Sequence, residues 1–515
     1  MTDRFRTLGS VRTVRLIMLA ALTGVLLAGT IAAMPSCASP AFNDSFGVTT
    51  GGQQDIASAR AVIESGGVPD PASITVQGFL SEHSIPIDAP ENPGLLFAAV
   101  SASWNMDFDA FTPLATVQIG FGSTIDPETF TRDALNLAIV IDKSGSMDDP
   151  IDQRTSATKM DAVLVAIDRL LGNLNSTDLV SVVAFDTKTS VLVDAAQGDD
   201  VVTIKNGLDG LEAKGGTNLA RGIKRGFTTV QKHTGPQRSD RVFLFTDILP
   251  TVGTNETDDF IAILEGFADD GIGATVFGVG VDFGDELAFD ISQVRGGNFF
   301  FLSDYDRIIT VFDEEFDLLV TPVAYDVELT MSIPFSMDID DVYGIPVPEE
   351  LSHVVELAVP TLFLSSREGG GAIFVRQRAG SMFDFEVENN IADILLSYTT
   401  PDGEIVSQPP LSATLPAGLD AAADQVYFET DGIKRGVLLL NTALVLKAAS
   451  EDAYSIYGYF DGGQDPARAV ERLTEFLPYF DELAEGLDDK TSDSSRSLSE
   501  ERALVAKLLS NIQGF

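Results

Sequence analysis

The sequence predicts an α/β fold in which a doubly wound, mostly parallel sheet is flanked by a β-rich region and by C-terminal helices. Across residues 133–322, apolar strand-like runs alternate with amphipathic helical runs, which is the pattern of consecutive βαβ units. The runs LNLAIVID and RVFLFTD are almost continuously apolar, as strands buried on both faces of a parallel sheet are. After residue 322 short alternating strands follow, and residues 441–515 have helical periodicity.

The central region contains its predicted elements in a regular order. Its first helix, KMDAVLVAIDRLLGNL, places four apolar residues on one face: Met160, Val163, Ile167 and Leu171. The elements after it are strand DLVSVVAFD with its antiparallel edge partner TSVLVD, helices VVTIKNGLDGL and LARGIKRGFTTVQKH, strand RVFLFTD, helix DFIAILEGFADDG, strand GATVFGVGVD, helix LAFDISQVRGG, strand NFFFLSD and the closing helix YDRIITVFDEEFDLLV. In this architecture a ligand binds at the carboxyl ends of the strands, where the strand order reverses.

The two flanks of the central region have different patterns. Before it, IASARAVIE predicts a short amphipathic helix, and LLFAAVSASWNMDFDAF and LATVQIGFGST alternate as strands do. After it, six segments bounded by turn residues predict an antiparallel sandwich packed against the sheet domain: VAYDVELTMSIPF, HVVELAVPTLFLSS, GGAIFVRQRA, SMFDFEVEN, ADILLSYTTPDGEIVSQ and QVYFETDG. Three helices complete the chain: NTALVLKAASEDAYSIYGYF, DPARAVERLTEFLPYFDELAEGL and SEERALVAKLLSNI.

These patterns divide the chain into six parts. They are a signal peptide of lipoprotein type (1–37), a linker (38–54), an N-terminal α+β accessory region (55–132), the α/β sheet domain (133–322), an antiparallel β region (323–440) and a C-terminal helical region (441–515).

The N-terminus has the features of an export signal. Four arginines, at positions 4, 6, 12 and 15, precede an apolar stretch from Leu16 to Met34. Cys37, the sole cysteine, lies just past that stretch, so that the segment resembles a bacterial lipoprotein signal with a lipidated cysteine. The alternatives are cleavage near Ala33 by ordinary signal peptidase, or an uncleaved membrane anchor. All three predict export, and a single cysteine excludes an intrachain disulfide.

The charge of the chain limits its partners. The formal net charge is −44 and the pI is about 4.1, so the surface repels nucleic acid and anionic membranes. The hydrophobic content of 44% is that of a globular protein rather than a disordered one. The acidic surface either maintains solubility, including in salt, or concentrates divalent cations near the protein.

Five oxygen-bearing side chains stand on three predicted loops near the ends of strands or the start of a helix: Asp142, Ser144, Ser146, Thr217 and Asp247. Hard oxygen donors suit Mg²⁺ best, and Mn²⁺ or Ca²⁺ also, rather than zinc. A set with only two carboxylates leaves the cation electrophilic, so a partner's carboxylate can complete its coordination. Each residue also has an ordinary explanation as a helix cap or a turn residue.

The motifs DxSGS after an apolar strand, a downstream GGT and a later strand ending in TD resemble the metal-ion-dependent adhesion site of von Willebrand factor type A domains. The resemblance covers residues 133–322. It implies that Ser144 and Ser146 ligate a cation directly, and that Asp142 and Asp247 ligate it directly or through water. It also implies that Thr217 joins or leaves the coordination shell as the closing helix moves. The sequence departs from the family at Ile248, where glycine is usual.

Three further acids, Asp148, Asp149 and Asp152, follow the first motif. They form either a solvated acidic loop or a rim that favours a second cation. Lys143 occupies the variable position of the motif and is expected to point away from the cation.

The sequence therefore predicts an exported, lipid-anchored bacterial envelope protein that binds another macromolecule through a divalent cation. Its expected location is the outer membrane or cell envelope, facing the periplasm or the surface. The alternative is a scaffold or assembly factor of the envelope. An enzyme hosted in the β region is disfavoured, because the three histidines are scattered and the motifs HExxH and GxSxG are absent.

Overall fold

The computed structural model describes most of the chain after residue 45. The described residues are 46–50, 55–90, 93–108, 112–151, 156–235, 238–247, 254–280, 294–302, 305–345, 352–367, 372–419, 426–454, 465–492 and 495–514. Outside them lie the predicted signal peptide with Cys37, residues 287–293 of the predicted helix LAFDISQVRGG, Asp152 and Ile248.

The strands and helices of the described residues are numbered in chain order. The strands are β1 (Gly47–Thr50), β2 (Leu96–Met106), β3 (Pro113–Ser123), β4 (Ala134–Asp142), β5 (Leu179–Phe185), β6 (Thr189–Gln197), β7 (Arg238–Thr246), β8 (Gly273–Val279), β9 (Gly297–Leu302), β10 (Pro322–Ser332), β11 (Met337–Tyr343), β12 (Val354–Ser365), β13 (Ile373–Ala379), β14 (Asn389–Thr399), β15 (Ile405–Ser407), β16 (Leu411–Leu415) and β17 (Tyr427–Phe428). The α-helices are α1 (Ala57–Glu64), α2 (Val76–Ser81), α3 (Lys159–Gly172), α4 (Val201–Leu208), α5 (Leu219–Val230), α6 (Thr254–Ala268), α7 (Tyr305–Ile309), α8 (Phe316–Leu319), α9 (Asp431–Ala453), α10 (Pro466–Ala484) and α11 (Leu498–Gln513).

The central region forms a doubly wound sheet, which confirms the predicted fold class. Its strand order is β6-β5-β4-β7-β8-β9, and all neighbouring pairs are parallel except β5 with its edge partner β6. One apolar cluster joins α3 and the closing segment to one face of the sheet, and another joins α5 and α6 to the opposite face. The strand order reverses at β4, which lies between the parallel strands β5 and β7. The carboxyl end of β4 is therefore where a ligand site is expected in this fold.

The sequence patterns divided residues 55–132 and 323–440 into two regions, but their strands belong to one sheet. β2 and β3, from the predicted accessory region, pair with each other, and β3 pairs with β13. A single hydrogen-bonded path therefore runs β11-β13-β3-β1-β12-β10-β14-β15. β16 pairs with β14 and contacts β2, so the sheet curls back toward its own first strands. The sheet domain is thus inserted into a β body that is built from both flanks.

Several local predictions were wrong. Residues 38–54 are not wholly a linker, because β1 lies between β3 and β12. The predicted strand SMFDFEVEN forms turns instead, while β11 and β16 were not predicted. The first C-terminal helix begins at Asp431, where the Thr430 side chain accepts a hydrogen bond from the amide of Ile433 and caps it. The boundary between 440 and 441 therefore falls inside α9.

The two ends of the described chain meet in a helical module. α1 and α2 share an apolar cluster with α9, α10 and α11. Within it the buried Arg60 guanidinium binds two buried carboxylates: Nε donates to Glu82 Oε2 at 2.8 Å, and Nη1 donates to Glu501 Oε2 at 3.0 Å. Glu82 also lies 3.6 Å from the Nε of Arg496. We call Arg60, Glu82 and Glu501 the Arg60 clasp.

Glu82, His83 and Glu501 are the one group of three potential metal-binding side chains found among the described residues, with ligand atoms within 4.8 Å of one another. Arg60 already occupies both carboxylates, and its charge and that of Arg496 balance theirs. The group is therefore a structural ion pair network, in which the Nε2 of His83 lies 3.4 Å from Glu501 Oε1.

The closing segment of the sheet domain is not one continuous helix, contrary to the sequence prediction. A π-helical stretch, Thr310–Glu314, separates α7 from α8. Buried ion pairs attach the segment to the flanks: Arg307 Nη2 lies 2.7 Å from Asp55 Oδ2, and Arg367 pairs with Glu315. The closing segment is therefore attached to the flanking regions at two points, through Arg307 in α7 and through Glu315 directly before α8.

Glu501→Gln is expected to lower the free energy of unfolding by about 3 kcal/mol at pH 7, because it leaves a buried guanidinium partly unpaired. Burial acts to raise the pKa of Glu501, but the positive charge of Arg60, together with the nearby His83 side chain, outweighs it and lowers that pKa to about 2. The stabilisation by the ionised carboxylate is present above about pH 4.5, the ordinary value, and is lost as the pH falls toward 2.

Urea unfolding of the wild type and the variant at several pH values checks this prediction. The stability difference should shrink between about pH 4.5 and pH 2. Glu471→Gln, at an exposed position of α10, is the control and should change stability by less than about 0.5 kcal/mol. A difference that does not depend on pH would contradict the assignment.

Candidate metal centre

Asp142 is the most buried member of the candidate site. It is the last residue of β4, which pairs with β5 on one side and β7 on the other. Its carboxylate is 0% exposed. Oδ1 accepts a hydrogen bond from the Ser144 amide at 2.8 Å, and Oδ2 accepts one from the Thr246 hydroxyl at 2.7 Å. Both donors are neutral, so the hydrogen bonds hold the carboxylate without balancing its charge.

The loop after Asp142 turns the two serine hydroxyls toward each other. A 3₁₀ turn spans Gly145–Asp148, and Ser144 precedes it in an extended conformation. The Oγ atoms of Ser144 and Ser146 lie 3.2 Å apart. The Ser146 hydroxyl donates to Asp247 Oδ1 at 3.0 Å. Two sequence-predicted carboxylates and two hydroxyls therefore converge at the carboxyl ends of β4 and β7.

Thr217 reaches the same end of the sheet through its loop. The Gly145 amide donates to the Gly215 carbonyl at 3.0 Å, and the Lys214 amide donates to the Lys143 carbonyl at 2.7 Å. Within the described part of the chain, no hydrogen bond joins the Thr217 hydroxyl to the other four side chains. Thr217 does not cap α5 either, since the Asn218 side chain accepts from the Arg221 amide at 2.9 Å.

Two lysines lie beside the site. Lys143, in the variable position of the motif, pairs with Asp186 rather than with a site carboxylate. Lys159, the first residue of α3, places its Nζ 2.8 Å from Asp247 Oδ2. Asp247 thus has a cationic partner and Asp142 has none among the contacts described.

The two carboxylates are therefore in different electrostatic states. Burial raises the pKa of Asp142 above its usual value, although the hydrogen bonds from the Ser144 amide and the Thr246 hydroxyl act in the opposite direction. The negative charge of Asp247 raises it further. A buried anion without a balancing cation is unfavourable, and a divalent cation would supply the missing charge. The donor set, made of oxygen atoms only, fits Mg²⁺ or a similar hard cation.

Sequence analysis missed three contributors to the site. Thr246 precedes Asp247 directly, so the TD pair itself held the signal that a hydroxyl could face Asp142. Lys159 and Asp186 could not be found from sequence, because Lys159 meets Asp247 across 88 positions and Asp186 meets Lys143 across 43. The acids Asp148 and Asp149 are exposed, as a solvated loop would be.

Comparison with known proteins matches residues 137–249 to the model of the von Willebrand factor type A domain. The chain is 22% identical over 283 residues to the uncharacterized protein YfbK of Escherichia coli (strain K12), covering 53% of this chain and 47% of that protein. It is 33% identical over 156 residues to the uncharacterized protein sll0103 of Synechocystis sp., covering 30% of this chain and 33% of that protein. The chain thus spans half or less of the length of both relatives.

Among solved structures, the von Willebrand factor type A protein from Catenulispora acidiphila is similar at a TM-score of 0.47 and 15% identity, covering 83% of this chain and 96% of that one. The ArnB paralog VWA2 from Sulfolobus acidocaldarius is similar at a TM-score of 0.38 and 14% identity, covering 81% and 98%. None of the helices in the described ranges is both long and apolar enough to cross a bilayer.

Addition of Mg²⁺ to the metal-free protein is expected to raise the melting temperature of the sheet domain by roughly 5 to 10 °C at about one hundred times the dissociation constant, since only the native state binds. Asp142→Asn should abolish this increase. The same variant should also raise the melting temperature of the metal-free protein, because it removes a buried charge that lacks a cationic partner.

Differential scanning calorimetry with and without Mg²⁺ measures both effects. Asp199→Asn is the control: this exposed acid follows β6, whose last residue pairs with the first residue of β5, at the end of the sheet opposite to Asp142. An undiminished Mg²⁺ effect in Asp142→Asn would show that the cation binds elsewhere.

The order of the motifs along the chain and the convergence of Asp142, Ser144, Ser146 and Asp247 at one end of the sheet agree with the family match. Residues 137–249 of the sheet domain are therefore similar to the von Willebrand factor type A domain, and the sheet domain is inserted between β3 and β10 and fastened to the flanking regions by buried ion pairs.

Proposed function

We propose that the protein is a divalent-cation-dependent binding module of an exported, lipid-anchored bacterial envelope protein, acting by binding rather than by catalysis. One observation carries the proposal: the buried Asp142 carboxylate, held only by neutral donors, lies beside two hydroxyls and the second carboxylate Asp247. This arrangement would stabilise a hard divalent cation. With only two carboxylates, the loaded site would carry no excess negative charge and could accept an anionic ligand.

Mg²⁺ is the proposed cation. Its octahedral coordination by oxygen atoms suits hydroxyls, carboxylates and water together. Asp142, Ser144 and Ser146 would hold it, with Asp247 acting directly or through water and Thr217 approaching from its own loop. When bound, the cation supplies a positive centre to which a carboxylate of a protein ligand can bind. Mn²⁺ has the same donor preference, and Ca²⁺ needs more ligands.

The scaffold alternative has a structural basis of its own. The closing segment pairs with Arg367, which follows β12, and with Asp55, which precedes α1. The Gly296 amide, which precedes β9, donates to the Thr361 hydroxyl of β12 at 2.7 Å. Such a joined platform suits a component that holds an envelope complex together. A scaffold would be recovered in a stable complex after chelation, whereas an adhesion-type module would release its ligand.

Binding to envelope components should require both the cation and Asp142. Immobilised wild-type protein is expected to retain a ligand from envelope extracts in Mg²⁺ and release it in EDTA. Asp142→Ala should retain about one hundredth or less of it, as expected when about 2.7 kcal/mol of binding free energy is lost. Asp199→Ala removes the same charge from the opposite end of the sheet and should bind normally. Equal retention by Asp142→Ala would contradict cation-dependent binding.

Anchoring is proposed to occur through lipid attached to Cys37. Cys37→Ala should then release the protein from the membrane fraction into the soluble fraction, because one lipidated cysteine is the link to the membrane. Fractionation followed by a carbonate wash measures this. A variant that still sediments with membranes would indicate that the apolar N-terminal stretch is an uncleaved anchor.

A further inference from the structure

Lys159 is held beside the site from several directions. Its Nζ lies 2.8 Å from Asp247 Oδ2, and its side chain is only 12% exposed. Its amide donates to the Asp149 carbonyl at 2.9 Å, and the Asp149 amide donates to the Ser146 carbonyl at 3.0 Å. The start of α3 is thereby fixed against the loop that presents Ser144 and Ser146.

Gly280 makes room for the aliphatic part of Lys159. It follows β8 with a φ of +98°, and a Cβ atom there would lie 2.9 Å from the Cε of Lys159. Any side chain at this position would therefore displace the lysine, in addition to straining the backbone. The lysine thus passes over a glycine at the end of one strand to reach a carboxylate that follows another.

The location of Lys159 is electrostatically unfavourable apart from Asp247. It is the first residue of α3, and the amino end of a helix carries partial positive charge that favours acidic rather than basic side chains. The Thr158 and Asp161 capping box occupies the same turn. The pairing with a buried carboxylate therefore offsets both the helix dipole and the burial of the ammonium group.

Lys159 also changes the charge of the whole site. Asp142 and Asp247 together carry two negative charges, and Lys159 reduces the local sum to one. A divalent cation would then make the site net positive by one charge, and a ligand carboxylate would bring it to neutrality. Each oxygen of Asp247 accepts one hydrogen bond, Oδ1 from Ser146 and Oδ2 from Lys159, so a cation that takes Asp247 as a direct ligand would share that carboxylate with the hydroxyl or the ammonium group.

We propose that Lys159 is a built-in counter-charge of the metal centre, which weakens the binding of the divalent cation and strengthens the binding of an anionic ligand to the loaded site. This inference rests on the proposed cation-dependent function and assigns it a residue outside the motif. Lys159 is a positioning residue, since it acts on the cation through Asp247 and through its charge.

The test is a calorimetric titration of Mg²⁺ into the full-length protein after its metal has been removed with EDTA. Lys159→Met keeps an unbranched chain over Gly280 and removes the charge, and Lys159→Gln keeps a hydrogen-bond donor without the charge. Both are expected to bind Mg²⁺ at least tenfold more tightly than the wild type, whereas Lys159→Arg should bind it within about threefold of the wild type. A merely structural role for Lys159 predicts weaker binding instead.

Lys232→Met is the matched control. Lys232 follows α5 at the end remote from the site, roughly 18 Å along the helix from its first residue, and lies 3.7 Å from the exposed Asp194. The variant removes the same charge and should leave Mg²⁺ affinity unchanged. An equal increase in the Mg²⁺ affinity of Lys232→Met would show that the effect depends only on the net charge of the protein, and it would overturn the proposal.

A second measurement follows the anion. Acetate is added to the Mn²⁺-loaded protein, and the relaxation rate of its methyl protons reports binding next to the paramagnetic ion. The wild type should bind acetate at least threefold more tightly than Lys159→Met. Tighter Mg²⁺ binding without this difference would overturn the second half of the proposal.

The outcomes separate the inference from the proposed function. Wild-type protein that binds Mg²⁺ as tightly as Lys159→Met and Lys159→Gln overturns the role of Lys159 and leaves the cation-dependent function in place. Mg²⁺ binding by the two variants but not by the wild type supports the role of Lys159 and contradicts the proposed function. No binding by any of them overturns both.

Discussion

The Arg60 clasp joins parts of the chain that are 441 positions apart, and the architecture depends on that junction. The sheet domain is inserted between β3 and β10, so both flanks must meet before the β body and the helical module are complete. A guanidinium shared by two buried carboxylates defines that meeting point closely, since each group has few other partners. Its contribution is specificity as much as stability, because a buried ion pair repays its desolvation only with good geometry.

Insertion has a consequence for the closing segment of the sheet domain. α7 and α8 would be free to slide if the domain ended in solvent. Here Arg307 of α7 pairs with Asp55, and Glu315, directly before α8, pairs with Arg367. Both parts of the segment are therefore attached to the flanking regions. A ligand shifts a conformational equilibrium only by its differential affinity for the two states. Displacing this segment would also separate buried charges, which costs several kcal/mol, so any movement must include the adjoining body.

The candidate metal centre combines two carboxylates with unequal surroundings. Asp142 is buried among neutral donors, whereas Asp247 is paired with Lys159. Under the proposed function, the first would attract a divalent cation because its charge is unbalanced, and the second, which accepts a hydrogen bond from the Ser146 hydroxyl, would act directly or through water. In the proposed function, this division would let a site with only two acids bind a divalent cation and leave a net positive charge for an anionic ligand.

The sequence by itself determined the doubly wound sheet and the positions of Asp142, Ser144, Ser146 and Asp247 at one end of it. Continuous apolar strands alternating with amphipathic helices admit few other arrangements, and the carboxyl ends of parallel strands necessarily share an edge. The helices α10 and α11 were predicted for the same reason, because their periodicity is local and strong.

Only the tertiary structure decided which distant segments pair. The β1 strand, the joining of β2 and β3 to the later strands, and the Arg60 clasp all depend on contacts between residues hundreds of positions apart, for which a single sequence carries no local signal. The same holds for Lys159, whose residue type at the start of a helix contradicts the local electrostatic preference. Its position is explained by a carboxylate from another strand, which periodicity and motif spacing do not reveal.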